Sequence, residues 1–166
     1  MTDVSRPIAS LVLGILAASM LIAAGSCASP PRSLQRADVE REVAALLQEW
    51  AAAISEGRLD DFKALYAERP GMVWVERGAV QYRSAAALAE SVDQVMSGGT
   101  QIENVIDEVA VEPLAPGVAG FSFSLTSTVR NPQYSFTFDG VMTGVAIEEA
   151  GSWKLYRGHL SEPPAQ

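Results

Sequence analysis

A single histidine, His159, and a single cysteine, Cys27, frame the chemistry open to this 166-residue chain. A histidine in a pocket exchanges protons near neutral pH. A period of two places His159 on one strand face with Trp153, Leu155, Arg157 and Ser161. Three roles are open to it there: a buried histidine held by hydrogen bonds beside Trp153, a proton-transfer catalyst, or a ligand contact. Its candidate catalytic partner is Asp139, which interrupts an apolar stretch. A carboxylate in an apolar pocket has a raised pKa and can exchange protons near pH 7. Alternation puts Asp139 with Ser135, Thr137 and Val141, opposite Phe136 and Phe138, on a solvent or dimer face. A bulge near Gly140 would turn it toward the pocket. Glu76, Tyr82, Tyr134 and Arg157 complete the polar pocket candidates, with an Arg157–Glu76 ion pair as the expected structural pairing. Trp74, Phe138 and Trp153 are expected as apolar pocket wall, and Trp50 as core.

Other chemistries lack their residues. One histidine and one cysteine cannot build the usual His/Cys metal constellations, so no metal or cofactor is expected. There is no Gly-x-Ser-x-Gly elbow and no glycine-rich phosphate loop. The net charge is −8 and the pI about 4.6, with no Lys/Arg cluster. Such a chain is a poor partner for nucleic acid, where phosphate neutralisation dominates affinity. It is equally poor at adhering to anionic membrane surfaces.

Cys27 speaks of location. It directly follows the apolar run Ile8 to Ala24 and the small residues Gly25 and Ser26. A short apolar run ending in small residues reads as a secretory signal, and the cysteine at the cleavage point makes it resemble a bacterial lipoprotein signal. That resemblance implies lipidation of Cys27 as the first mature residue and anchoring in the cell envelope, on a membrane facing the periplasm or the exterior. An ordinary signal peptide, or retention of Ile8 to Ala24 as an anchor, would export the domain as well. Residues 1–26 are then a signal segment, 27–37 the lipidated cysteine and a Pro30-Pro31 tether, 38–163 the domain and 164–166 a tail. Removing 26 residues from 166 leaves 140, enough for one domain. A chain of that size buries roughly two-thirds of its unfolded surface and needs no disulfide.

The elements that must position the candidates follow from periodicity. Val39, Val43, Leu46, Leu47, Trp50 and Ile54 stripe one face of a helix that starts at Asp38 and stops at Gly57. A second helix is predicted over Asp60 to Glu68, with Phe62, Leu65 and Tyr66 inward, ending at Pro70-Gly71. Met72 to Glu76 reads as a strand and Ser84 to Met96 as a third helix. The period then changes to two. Ile102 to Glu112, Val118 to Arg130, Tyr134 to Glu148 and Ser152 to Ser161 read as long strands separated by turn signals. Along the second of these, Ala119, Phe121, Phe123 and Leu125 form an apolar face opposed by Gly120, Ser122, Ser124 and Thr126. Helices first and antiparallel strands after is an α+β layout.

That order, ending in Trp153-Lys154-Leu155-Tyr156-Arg157-Gly158-His159-Leu160-Ser161, resembles the NTF2-like superfamily, closest to its SnoaL-like and small secreted branches. Trp50 through Asp61 is similar to the family's first helix and its link to the second. Val73-Trp74-Val75 is similar to the first strand, and Phe138-Asp139-Gly140 with Thr143 to the penultimate one. The resemblance covers about residues 38–163. It implies a cone: a strongly curved, mostly antiparallel sheet around helices, with a pocket at the wide end and a homodimer formed through the outer sheet face. It implies no single activity, because the superfamily holds isomerases, cyclases, binding proteins and association modules. The expected function is an exported, lipid-anchored domain that binds a small apolar or amphipathic molecule or serves as a dimeric accessory module. The alternative is a cyclase or isomerase working by acid–base chemistry through Asp139 and His159.

Overall fold

The computed structural model describes residues 35–162. The signal segment, Cys27, most of the tether and the tail lie outside the described residues. The described chain runs α1 (Arg36–Ser55), α2 (Leu59–Ala64), β1 (Val73–Glu76), β2 (Ala79–Tyr82), α3 (Ala85–Ser97), β3 (Gln101–Ala115), β4 (Val118–Arg130), β5 (Ser135–Glu149) and β6 (Ser152–Ser161). The strands form one sheet in the order β2-β1-β6-β5-β4-β3, antiparallel except where β1 runs parallel to β6. This is the expected α+β cone, a curved sheet with helices packed on one face.

The apolar stripe of α1 supplies a large part of the core. Val39, Val43, Leu46, Leu47, Trp50 and Ile54 are all buried, and they meet the inward residues Ala119, Phe121, Phe123 and Leu125 of β4. The helix begins two residues before the expected Asp38, which falls in its first turn, where a carboxylate favours the helix dipole. Arg58 fastens the α1–α2 corner by binding Glu49, Glu56 and Asp61 at 2.6–2.8 Å. Helix α3 opens with Ser84 accepting a hydrogen bond from the Ala87 N–H, the capping its sequence calls for.

The second helix ends at Ala64, short of the expected Glu68, and two further departures bear on the site. The strand β2 was not expected. It forms a two-residue hairpin with β1 through Arg77 and Gly78, both at positive φ (51° and 73°), as a turn matched to strand twist requires. The second departure lies in β6. Val145 pairs with Arg157 and Ala146 with Leu155, so Tyr156 is an extra residue. This bulge breaks the alternation. Trp153 and Leu155 are buried before it, Gly158 and Leu160 after it, and Arg157 and His159 turn to the opposite face.

Candidate functional site

On its helix-covered face the sheet lines a partly open cavity of about 220 Å³ between α1, α2, α3 and the inward side chains of the strands. Trp50, Phe62, Tyr66 and Trp74 form its most buried part. Their rings pack edge to face or tilted, with Tyr66 to Trp74 centroids 5.5 Å apart and Trp50 to Trp74 6.3 Å apart. Offset and edge-on arrangements of this kind are the ones aromatic quadrupoles favour. Leu125, Phe138, Met142 and Leu160 continue the apolar wall.

A few polar groups interrupt that wall. The Trp50 indole Nε1–H donates to the Tyr66 hydroxyl oxygen at 2.7 Å. Burial pushes the Tyr66 phenol well above its ordinary pKa, and the Trp50 hydrogen bond offsets only part of that rise. Tyr66 is therefore a neutral phenol at any physiological pH, with its own O–H left to donate. The Trp74 Nε1–H donates to Glu76 Oε1 at 2.8 Å and so orients the carboxylate. The hydroxyls of Tyr82 and Ser91 meet at 2.8 Å, tying β2 to α3 at the cavity's edge. Asn104 of β3 and Ser127 of β4 face each other across the ladder and both line the cavity. Asn104 Oδ1 is buried with no hydrogen-bond partner among the described residues. Such an atom normally finds a partner.

Of the sequence candidates, Trp74, Glu76, Tyr82 and Phe138 line this cavity. Tyr134 does not line the cavity; it is exposed just before β5 and stacks on Phe136 at 5.8 Å. Trp153 is core and does not line the cavity. Arg157 does not pair with Glu76. Opposite Arg157 on β1 is Val73, and the bulge sends Arg157 to the outer face while Glu76 points inward beside Trp74. Arg157 instead lies over the Tyr156 ring, 5.6 Å from its centroid.

His159 and Asp139 are not brought together. The same bulge turns His159 outward, where it is exposed and sits opposite Thr143. The β4–β5 ladder runs unbroken from Val118–Ile147 to Arg130–Ser135, so no bulge redirects Asp139. It stays on the outer face and accepts a hydrogen bond from Thr126 at 2.7 Å. Asp139 and Thr143 are four residues apart, about 13 Å along a strand. Neither candidate points into the cavity, so they form no dyad within it. His159 instead lines an open trough of about 610 Å³ across the outer face, with Arg157, Thr143, Ser122 and Glu112.

Sequence reasoning took Tyr66 only as an inward helix residue and passed over Asn104 and Ser127. Signals for the last two existed. Asn104 breaks the inward series Ile102, Asn104, Ile106, and Ser127 continues the inward parity of Phe121, Phe123 and Leu125. Among the described residues no group of three or more His, Cys, Asp or Glu could hold a metal ion.

The family model for the SnoaL-like domain matches residues 43–166. No protein of curated function matches by sequence. Several solved structures share the fold. An NTF2-like superfamily protein from Salmonella enterica serovar Typhimurium has a TM-score of 0.66 at 17% identity, covering 78% of this chain and 94% of its own. A Novosphingobium aromaticivorans protein provisionally named a scytalone dehydratase has a TM-score of 0.66 at 10% identity, covering 74% and 83%. A Mycobacterium tuberculosis protein of unknown function has a TM-score of 0.65 at 16% identity, covering 75% and 72%. At these identities the likeness speaks for the fold alone.

Proposed function

The chain belongs to the SnoaL-like domain family, and from that premise we propose that it is a binding module whose cone cavity takes a small apolar or amphipathic molecule. One observation carries this reading: an aromatic-walled cavity holding a few oriented polar groups, Tyr66, Glu76, Asn104 and Ser127, from which His159 and Asp139 are both excluded. Ligand sites of this kind are mostly apolar, with a small number of polar groups that fix orientation. The test is mass spectrometry of small molecules extracted from the purified full-length protein. A single class of apolar molecule near one per protomer supports the reading. A protein that carries none, and binds none from an extract of its host's lipids, opposes it.

A second reading is enzymatic, an isomerase or cyclase type of proton transfer, and one observation favours it. Glu76 and the neutral phenol of Tyr66 share the cavity, a carboxylate able to take a proton beside a hydroxyl able to donate one. The reading differs from the binding module in one measurable way. Glu76→Gln would abolish turnover of any substrate found while leaving its binding within a few fold.

The module is further proposed to be exported and held at a membrane by Cys27. Among the described residues no helix is long and apolar enough to cross a membrane. Cys27→Ala is expected to move the protein from the membrane fraction to the soluble exported fraction. Continued pelleting after carbonate extraction would place the anchor elsewhere.

Self-association through the outer sheet face belongs to the same proposal. The trough there is floored by small residues, Gly120, Ser122 and Gly144, which allow close approach of a second sheet. A twofold dimer would use the same patch on both protomers, so one substitution there is felt twice. The Cys27→Ala protein is expected to sediment as a dimer at tens of micromolar, and Ser122→Glu as a monomer. A monomer before the second substitution rejects this interface.

A further inference from the structure

Three charged residues line the cone cavity: Glu76, Arg77 and Glu162. Arg77 and Glu162 lie 3.7 Å apart and largely cancel. Glu76 has no such partner among the described residues, since Arg77 pairs with Glu162 and Arg157 lies on the other face of the sheet. Its side chain is half-buried in a mostly apolar and aromatic surround. A carboxylate in that setting loses hydration, and hydrogen bonds or an opposite charge must replace it. One replacement is present: Oε1 accepts from the Trp74 indole N–H at 2.8 Å. The other oxygen, Oε2, has no partner among the described residues. Unlike Asn104 Oδ1 it is not sealed off, so a donor entering the cavity can reach it.

The rest of the lining narrows the chemistry of that donor. Trp50, Tyr66, Trp74 and Tyr82 bring four electron-rich rings to the same cavity, and the faces of such rings attract cations. Burial is the main cause of the raised Tyr66 pKa and the Glu76 charge adds to it, so the negative potential reaches the deepest part of the cavity. A carboxylate ligand would be repelled there. A hydroxyl would gain one hydrogen bond, and an ammonium a stronger, charge-assisted one. The volume of about 220 Å³ falls below the ~300–1,000 Å³ typical of ligand sites, so it suits a small molecule or the head of a larger one.

We infer that the cavity selects an organic amine, with its ammonium group seated on Glu76 Oε2 and its apolar body against the aromatic wall. This rests on the binding-module reading and adds to it the charge and chemistry of the ligand's polar end. Trp74 holds the carboxylate in place through Oε1 and leaves Oε2 to the ligand.

The test titrates the full-length protein near pH 7, followed by tryptophan fluorescence, with octylammonium, 1-octanol and octanoate below their solubility limits. The three share a tail and differ only in the head. Octylammonium is expected to bind about tenfold tighter than 1-octanol or more, and octanoate weakest of the three. Glu76→Gln should bring octylammonium to within about threefold of 1-octanol, because the neutral amide keeps the shape and loses the charge. Asp139→Asn removes one negative charge from the outer face and should leave the preference as it is. If Glu76→Gln loses its unfolding transition, the wild-type Trp74 indole N–H signal decides in its place, since that group is bonded to the same carboxylate. Octylammonium should move it further than 1-octanol does, and saturation that leaves it in place would overturn the inference. Octylammonium and 1-octanol binding equally in the wild type, or octanoate matching octylammonium, would overturn the amine while leaving the cavity reading intact. A preference that survives Glu76→Gln, or falls as much with Asp139→Asn, would assign the cation to the acidic surface and overturn it as well. Failure of all three probes to bind would overturn both the inference and the cavity reading.

Discussion

Trp50→Ala is expected to cost about 3–5 kcal/mol, a large share of the roughly 5–15 kcal/mol that keeps a domain folded. The size of the effect comes from position. Trp50 touches both α2 and the sheet: its ring lies 6.4 Å from Phe62, 6.3 Å from Trp74 and 5.7 Å from Phe123. Its N–H also donates to Tyr66 at 2.7 Å inside an apolar surround. Truncation therefore opens a void and takes the donor from a buried phenol oxygen. Trp50→Phe keeps an aromatic ring but removes the donor and part of the ring volume, so a smaller cost, about 1–3 kcal/mol, is expected for it. Urea denaturation followed by far-ultraviolet circular dichroism measures both. A midpoint for Trp50→Ala indistinguishable from wild type would mean that α1 does not hold the sheet.

Gly158→Val is the second large effect, and it acts by crowding instead of by loss. Gly158 of β6 and Gly144 of β5 face each other across the ladder on the inner face. A Cβ on Gly158 would collide with the six-membered ring of Trp74, and one on Gly144 with the Phe121 ring and the Arg157 carbonyl. These glycines are required for the space they leave, since two large aromatic rings occupy the volume a Cβ would take. Overpacking of this sort costs about 1–3 kcal/mol, and more where the neighbour cannot yield. Trp74 is 3% exposed and anchored to Glu76 at 2.8 Å, so it yields poorly. Gly158→Val is expected to lower the urea midpoint and to alter the tryptophan emission of the folded state, because Trp74 and the Glu76 carboxylate move together. An unchanged midpoint and spectrum would show that the ring does not rest on Gly158.

The sequence made the long elements plain and concealed the places where the backbone departs from its period. The strands Val118–Arg130 and Ser152–Ser161 were read with the bounds they have, because hydrophobic alternation, flanked by turn residues, is a direct image of a half-buried ladder. Asp139 was placed on the outer face by the same alternation, which its unbroken ladder preserves. His159 was misplaced by it. One extra residue at Tyr156 inverts everything after it, and nothing in Leu155-Tyr156-Arg157 announces a bulge, since Tyr156 is as good a strand residue as its neighbours. The expected Arg157–Glu76 pair was lost for the same reason. The strand β2 went unread because it is four residues long with three exposed, too short for any period to show. The cavity's polar groups were only partly legible. Glu76 and Tyr82 stood out by type, whereas Tyr66 looked like an ordinary inward aromatic until its hydroxyl was seen to meet Trp50.

The three tryptophans offer the most direct test of where a ligand binds. Trp50 and Trp74 line the cavity and each donates its indole N–H to a cavity residue, whereas Trp153 is buried elsewhere with its indole N–H unpaired among the described residues. In a nitrogen-15 labelled sample the three indole N–H signals can be followed separately while 1-dodecanol is added. Binding in the cone predicts that the Trp50 and Trp74 signals shift and saturate together while Trp153 stays in place. Saturating shifts at the backbone amides of Thr143, Arg157 and His159, with Trp50 and Trp74 unmoved, would put the ligand in the outer trough and contradict the account.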